Sequence, residues 1–256
     1  MGVDLGPLNQ ATYLAEAAGA RMLARELHEA RRLAGLPGPS RHTRAQATLV
    51  AVSPHLLPRP DDWPADVHLT AAWEQQGPLR PDPEVRAFLD AGPFLYAGFG
   101  SMASGDPRRR AATVLAAARA RGLRVLAVSG WGGLEVPAAL RGDDLLVVDA
   151  VPHDAVLVHA TAAIHHGGSG TVHAAARAGT VAVVEPFLGD QPFWGRLLHR
   201  DGVGPAPIPR GRLSTRRLGQ ALDEVARYRA PLRRLAAELR EERGAAQALA
   251  VFETLV

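Results

Sequence analysis

The spacing of apolar residues changes period along the chain, and each change predicts a different element. From residue 8 to residue 35, Leu14, Ala18, Met22, Leu23, Leu27 and Leu33 recur at helical spacing, and Gly35 and Pro37 end the pattern. Arg21, Arg25, Arg31 and Arg32 supply its solvated face. Ala47–Ser53 (ATLVAVS) reads as a strand cut off by Pro54. The stretch Pro54–Pro83, rich in Pro, Asp and Trp, reads as an extended connector with a short strand at Val67–Thr70 and a domain boundary in or after it.

From Glu84 onward the pattern becomes a regular alternation. It predicts a helix over 84–90, a strand at Phe94–Gly98, a helix from Pro107 to about Ala120, and strands at Arg124–Ser129 and Asp144–Asp149. A short helix at His153–His159, a strand at Ala162–His165, a helix over 170–178 and a strand at Val181–Val184 follow. A helix over 191–201 and a short strand near Ala206–Ile208 complete it. Strands and helices alternating at these lengths imply an α/β fold, a Rossmann-like doubly wound parallel sheet with helices on both faces. Ser214–Val256 predicts two terminal helices, the first capped by Ser214 and the second restarted by Pro231.

Ligands of such sheets sit at the carboxyl ends of the strands. Three glycine-bearing loops fall there: Gly98–Gly105, Gly130–Gly133 and Gly167–Gly170. The last opens a helix, where backbone N–H groups are unpaired and the helix dipole favours an anion. Gly167, Gly168 and Gly170 leave room for a phosphate, Ser169 and Thr171 add hydroxyls, and His166 adds an imidazole, so a diphosphate is the expected ligand. The segment GFGSMA (Gly98–Ala103) matches the dinucleotide fingerprint, but Gly105-Asp106-Pro107 intervenes before the helix, and Ser129-Gly130 stands where a ribose-binding acid is needed. It therefore reads as a nicotinamide or flavin loop, a plain loop, or a loop whose Ser101 faces a ligand phosphate.

Composition narrows the function classes. With 47% apolar and 21% charged residues, the 256-residue chain has the balance of a soluble globular protein with ample core. A pI near 10.1 suggests a nucleic-acid partner, yet the net charge is only +3. The chain has no lysine, so all 29 basic residues are Arg, spread among 26 acids. Without a basic stripe interleaved with aromatics, no nucleic-acid partner is expected. The lack of cysteine excludes disulfides and thiolate metal sites and fits a reducing compartment. The opening MGVDLGPLNQATYL lacks the basic start and apolar core of a signal peptide, and no run approaches the ~20 apolar residues of a membrane span. A cytoplasmic location is expected, in solution or peripheral at a membrane surface.

Other chemistries fit poorly. His165 and His166 are adjacent on a strand and point to opposite faces, so they cannot share an ion; His165 reads as a core or interface residue and His166 as a ligand contact. No H-E-x-x-H or paired-carboxylate spacing occurs, so no metal is expected. A nucleophile elbow at Ser169 would need glycine at 171, where Thr171 stands. Trp63, Trp73 and Trp194 read as packing residues, and Trp131 as either packing or ligand contact.

The stretch HHGGSGTVHAAARAGTVAVVEPFLGDQPFWG resembles the donor-binding region of GT-B nucleotide-sugar glycosyltransferases, nearest to the sterol-glucosyltransferase-like and bacterial antibiotic or macrolide enzymes. Gly179, Pro186, Asp190 and Gln191 follow His166 by 13, 20, 24 and 25 residues, the offsets of the plant glycosyltransferase box. GFGSM and Val151–His153 look like the family's other donor loops. The resemblance implies that His166, Gly168, Ser169, Gly170 and Thr171 hold the diphosphate, with Ser101 near it. It implies that Asp190 and Gln191 bind the donor sugar, and that Val151, His153 and Trp131 flank the base. No cofactor is implied beyond the co-substrate, a UDP- or dTDP-hexose.

The chain also departs from the family pattern. Where the family box often carries a ribose-binding Glu, eight residues after its His, this chain has Ala174, which admits a dTDP-sugar beside a UDP-sugar. The family's Gly-Val-Pro reads Gly179-Thr180-Val181. Residues 1–90, with the family-like DWP at Asp62–Pro64, would be a remnant of the N-terminal acceptor domain plus linker, and 91–256 the donor domain with its C-terminal helices. His28, His42, His55 and His68 match no family base, so the catalytic residue is unassigned. The implied function is inverting transfer of a hexose to a hydroxyl of a lipid-like or natural-product acceptor. The alternatives are a nucleotide-sugar-binding module or partner subunit, and an NAD(P)-binding oxidoreductase domain. A half-enzyme also implies a partly apolar face that meets a complementing N-terminal domain or self-associates.

Overall fold

The computed structural model describes residues 23–36, 45–73, 80–100 and 105–255. The chain divides into two units, Met1–Gln46 and Ala47–Val256. The first contributes one described helix, α1 (Ala24–Leu33). The rest of the helix expected from residue 8 lies outside the described residues.

The second unit begins with a parallel pair, β1 (Thr48–Val50) and β2 (Val67–Leu69), with Leu49 opposite His68. Its centre is a five-stranded parallel sheet: β3 (Phe94–Gly98), β4 (Arg124–Val128), β5 (Leu145–Val148), β6 (Ala162–His165) and β7 (Ala182–Val184), in the order β5-β4-β3-β6-β7. β3 and β6 are buried at every position, as strands covered on both faces must be. Between them run α2 (Pro83–Asp90), which precedes β3, then α3 (Pro107–Arg119), α4 (His153–Leu157), α5 (Ser169–Ala178) and α6 (Gln191–Arg200). Asp106 caps α3 by accepting the amides of Arg108 and Arg109 at 3.0 and 2.9 Å, with Pro107 in the first turn. α5 ends at Gly179, whose φ of +75° is the left-handed conformation such a stop requires.

The carboxyl terminus forms α7 (Thr215–Asp223), α8 (Val225–Glu241) and α9 (Gly244–Glu253), so three helices replace the expected two. Ser214 does cap α7, accepting from the Arg217 amide at 3.3 Å. Pro231 lies inside α8 and does not start a helix; the break falls at Glu224. The Arg227 carbonyl that Pro231 leaves unpaired belongs to an exposed residue, which makes the interior proline tolerable. The strand expected at Ala206–Ile208 does not form. Pro205, Pro207 and Pro209 supply no amide hydrogens, and one ladder-like bond survives, from the Ile208 amide to the Val184 carbonyl at 2.8 Å. Packing places α7 on α3, and α8 on α5. By the right-handed crossover rule, the α3 and α5 connections cover opposite faces of the sheet.

A polar network ties the start of the unit to its end. The His173 ring on α5 bridges the Ser169 carbonyl at 2.7 Å and the Ser53 amide at 3.1 Å. The Ser53 hydroxyl donates to Glu242 at 2.5 Å, and His55 pairs with Glu238 at 3.5 Å.

Candidate functional site

β6 delivers two histidines into the turn that opens α5. His165 is fully buried, and its Nδ1 accepts the Gly167 amide at 3.0 Å. Burial pushes this imidazole down to about 3, so it is neutral and carries its proton on Nε2. Gly167 has φ of +88°, and a Cβ there would lie 2.6 Å from Val184 Cγ1. A Cβ at Gly168 would lie 2.5 Å from His166 Nε2. Gly167 therefore requires glycine for backbone conformation and close packing, whereas a side chain at Gly168 would displace the His166 ring.

The helix side of the turn is open. The first α5 hydrogen bond runs from the Val172 amide to the Gly168 carbonyl at 3.0 Å, so the amides of Ser169, Gly170 and Thr171 have no acceptor within the helix. No atom outside the helix lies within 4 Å of a Cβ built at Gly170. Three free amides, two hydroxyls and a positive dipole end make an anion cradle.

This cradle forms part of a cleft of about 750 Å³. Val151 and His153, from the segment after β5, line the same cleft as Ser169, Gly170 and Thr171. His153 is the first residue of α4, and its Nε2 lies 2.9 Å from the Tyr96 hydroxyl. That hydroxyl occupies space left by Gly98, where a Cβ would lie 2.5 Å from it. Burial raises the Tyr96 phenol far above its ordinary value and lowers His153 below its own, so both are neutral. Arg177 and Asp154, paired at 2.6 Å, join α5 to α4 along the wall, and Ala174 lies beside them.

The remaining predicted residues are not among the described residues that line this cleft. His166 stands between the loops after β3 and β6: a Cβ at Gly100 would lie 3.3 Å from its Cε1. Burial keeps His166 below the usual histidine range, against the opposing pull of the Gly98 carbonyl and the Asp190 carboxylate. Its Nδ1 is buried and has no hydrogen-bond partner among the described residues. Asp190 is exposed, and its Oδ2 accepts the Trp194 indole N–H at 2.7 Å. Gln191 is buried, its Oε1 accepting the Phe187 and Leu188 amides at 2.7 and 3.2 Å, so its carbonyl shapes the loop after β7. Trp131 is 88% exposed on the loop after β4 and is not among the residues lining the cleft. Ser101 lies outside the described residues.

Sequence reasoning did not find three features. Trp73 is half exposed in the cleft wall where packing was expected, whereas Trp194 is buried as expected. His173 secures the carbonyl of Ser169, and its place one turn into α5 was the only available signal. Beyond β7, Glu185 is buried against Arg110 at 3.4 Å, and the Arg110 guanidinium lies 5.1 and 4.7 Å from the rings of Phe99 and Phe187. Burial raises the Glu185 carboxyl despite that partner.

Residues 135–250 match the family described as Erythromycin biosynthesis protein CIII-like, C-terminal domain. The chain is 33% identical over 205 residues to a sterol 3-beta-glucosyltransferase of Arabidopsis thaliana, covering 78% of this chain and 32% of that protein. It is 41% identical over 167 residues to the vancomycin aglycone glucosyltransferase of Amycolatopsis orientalis, covering 62% of this chain and 39% of that protein. The crystal structure of the kitacinnamycin glycosyltransferase superposes with a TM-score of 0.67 at 22% identity, covering 93% of this chain and 62% of that one. The chain spans 32% and 39% of the lengths of the two curated relatives named. The chain is thus similar to sterol and antibiotic glycosyltransferases over part of their lengths, its residues 135–250 match the erythromycin biosynthesis protein CIII-like C-terminal domain, and its α/β fold is that of GT-B glycosyltransferase structures.

Proposed function

We propose that the cleft binds a nucleoside diphosphate hexose and that the chain serves its transfer, with inversion, to a hydroxyl of a lipid-like or natural-product acceptor. One observation carries this reading. Val151 and His153, read as base contacts, and Ser169, Gly170 and Thr171, read as diphosphate contacts, come from separate stretches yet line one cleft.

The chemistry follows from the cradle. The acceptor oxygen bonds to the anomeric carbon while the bond from that carbon to the diphosphate oxygen breaks, and its electron pair leaves with the nucleoside diphosphate. The α5 amides, the Ser169 and Thr171 hydroxyls and His166 face the oxygens on which that charge grows, and they stabilise the transition state more than the ground state. Asp190, beside His166, supplies an acceptor for sugar hydroxyls, and Gln191, the second residue read as a sugar contact, holds the loop that carries it. Trp131 approaches the base from the rim. The acceptor's proton passes to a base that none of this chain's histidines is assigned to be. Ala174 places no carboxylate against the ribose, which suits dTDP as well as UDP. The glycosyltransferase relatives favour this reading over a nicotinamide site at GFGSMA.

Calorimetry of the purified chain with UDP-glucose, dTDP-glucose and NAD tests the proposal. Binding of at least one sugar nucleotide and not of NAD is expected, and their order gives the nucleotide preference. Binding of NAD alone, or of none of the three, overturns it.

A further inference from the structure

We infer that Trp73 is the stacking platform of the cleft, the flat surface against which the base of the nucleotide lies; this rests on the reading of the cleft as a nucleoside diphosphate site. Trp73 shares the cleft wall with Ala51 and Ala72, and the cleft is completed by the α4 and α5 starts. Trp73 is 52% exposed, a large apolar ring left in water within a cleft whose other lining combines small apolar side chains with hydroxyls, imidazoles and an ion pair. Among the described residues lining the cleft, no other phenyl, phenol or indole ring occurs.

The ring is held in place. Its Nε1–H donates to Thr70 Oγ1 at 2.9 Å, and the Thr70 amide donates in turn to the Val50 carbonyl at 3.0 Å. The edge of the indole is thereby fixed to the β1–β2 pair, and its face is left for contact. The backbone behind it is built at a cost. Ala71 is wholly buried with φ of +54°, and it is the non-glycine residue that takes a left-handed conformation among those described. Such strain persists only where the surroundings enforce it. Here the start of α9 does so, since a Cβ at Gly244 would collide with the carbonyls of Ala72 and Thr70. A rigid aromatic ring, presented at low entropic cost beside a separate anion cradle, matches the two ends of a nucleoside diphosphate: a flat base and a charged tail.

The test separates those ends. The full chain and its Trp73→Leu and Trp73→Phe variants are titrated with inorganic pyrophosphate, UDP and UDP-glucose, by calorimetry and by tryptophan fluorescence. In Trp73→Leu the dissociation constants for UDP and UDP-glucose rise together by roughly tenfold, and in Trp73→Phe by about threefold, the range expected for loss or reduction of one stacked base. Pyrophosphate, which has no base, binds all three proteins equally. UDP changes the emission of the parent more than that of Trp73→Phe, which keeps Trp131. The inference is overturned if Trp73→Leu binds UDP as the parent does. It is overturned too if pyrophosphate is lost alongside UDP, because the wall has then collapsed. Weakening of UDP-glucose alone would place the sugar, not the base, on the ring, and overturns it as well. If the parent binds none of the three ligands, the nucleotide reading of the cleft fails first, and that result is distinct from any variant effect.

Discussion

The turn entering α5 has a strand side and a helix side, and the two are built on opposite principles. From His165 to Gly168 the backbone is closely packed: a buried neutral imidazole accepts a backbone amide, and two glycines press against Val184 and His166. From Ser169 to Thr171 the amides lack helical acceptors and Gly170 borders open space. The glycines look alike in sequence, yet Gly167 and Gly168 serve construction and Gly170 serves approach. The closed half fixes where the open half points, which is how a cradle can be ready before its ligand arrives.

The sharpest way to break this contrast is Gly167→Ala. Its positive φ and the close approach to Val184 Cγ1 should together cost about 3 kcal/mol, read as a lowered urea midpoint. A loss near zero would mean that the strand side is not sealed. Acid titration comes next. Burial holds the folded His165 at about 3 against 6.5 for the free group, so below pH 6.5 the unfolded chain takes up a proton that the folded chain refuses. Stability from this residue is whole above pH 6.5 and drains as the pH falls toward 3, by up to about 1.4 kcal/mol per unit. Between pH 6.5 and 5 the parent should lose about 2 kcal/mol more than His165→Asn, which keeps an acceptor without the ring's basicity.

The helix side predicts the reverse pattern. Gly170→Ala should leave stability unchanged or raise it by up to ~1 kcal/mol, while UDP affinity falls roughly tenfold, or ~1.4 kcal/mol. If affinity is untouched, the phosphate does not approach there. The smallest effect is expected at Tyr96→Phe, where His153 loses its partner at 2.9 Å: about 1 kcal/mol of stability in a melt, with pyrophosphate binding intact.

Much of the sheet was legible because buried parallel strands write themselves as unbroken apolar runs. Phe94–Gly98 and Ala162–His165 were readable to the residue. The cradle was legible from Gly167 to Thr171 because glycine spacing and a helix start share one stretch. What escaped depended on tertiary context. The apolar residues near Ala206–Ile208 suggested a strand, but alternating prolines supply no ladder amides. Pro231 read as a helix start, whereas α8 runs through it, with Arg227, four residues earlier, on an exposed face. Trp73 read as packing because its exposure is set by Ala71 and Gly244, and the latter is distant in the chain. The join between Ser53 and His173 spans 120 positions and leaves no local trace.

The strand order β5-β4-β3-β6-β7 has a further consequence. The loops after β4 and β5, bearing Trp131 and Val151–His153, leave one flank of the sheet; the loop after β7, bearing Asp190, leaves the other; the α5 turn lies between them. If these loops hold base and sugar respectively, the two preferences are inherited as separate cassettes. Grafting one flank from a relative would then retune the nucleotide while leaving the sugar alone, and recombination between homologues could assort the two traits independently.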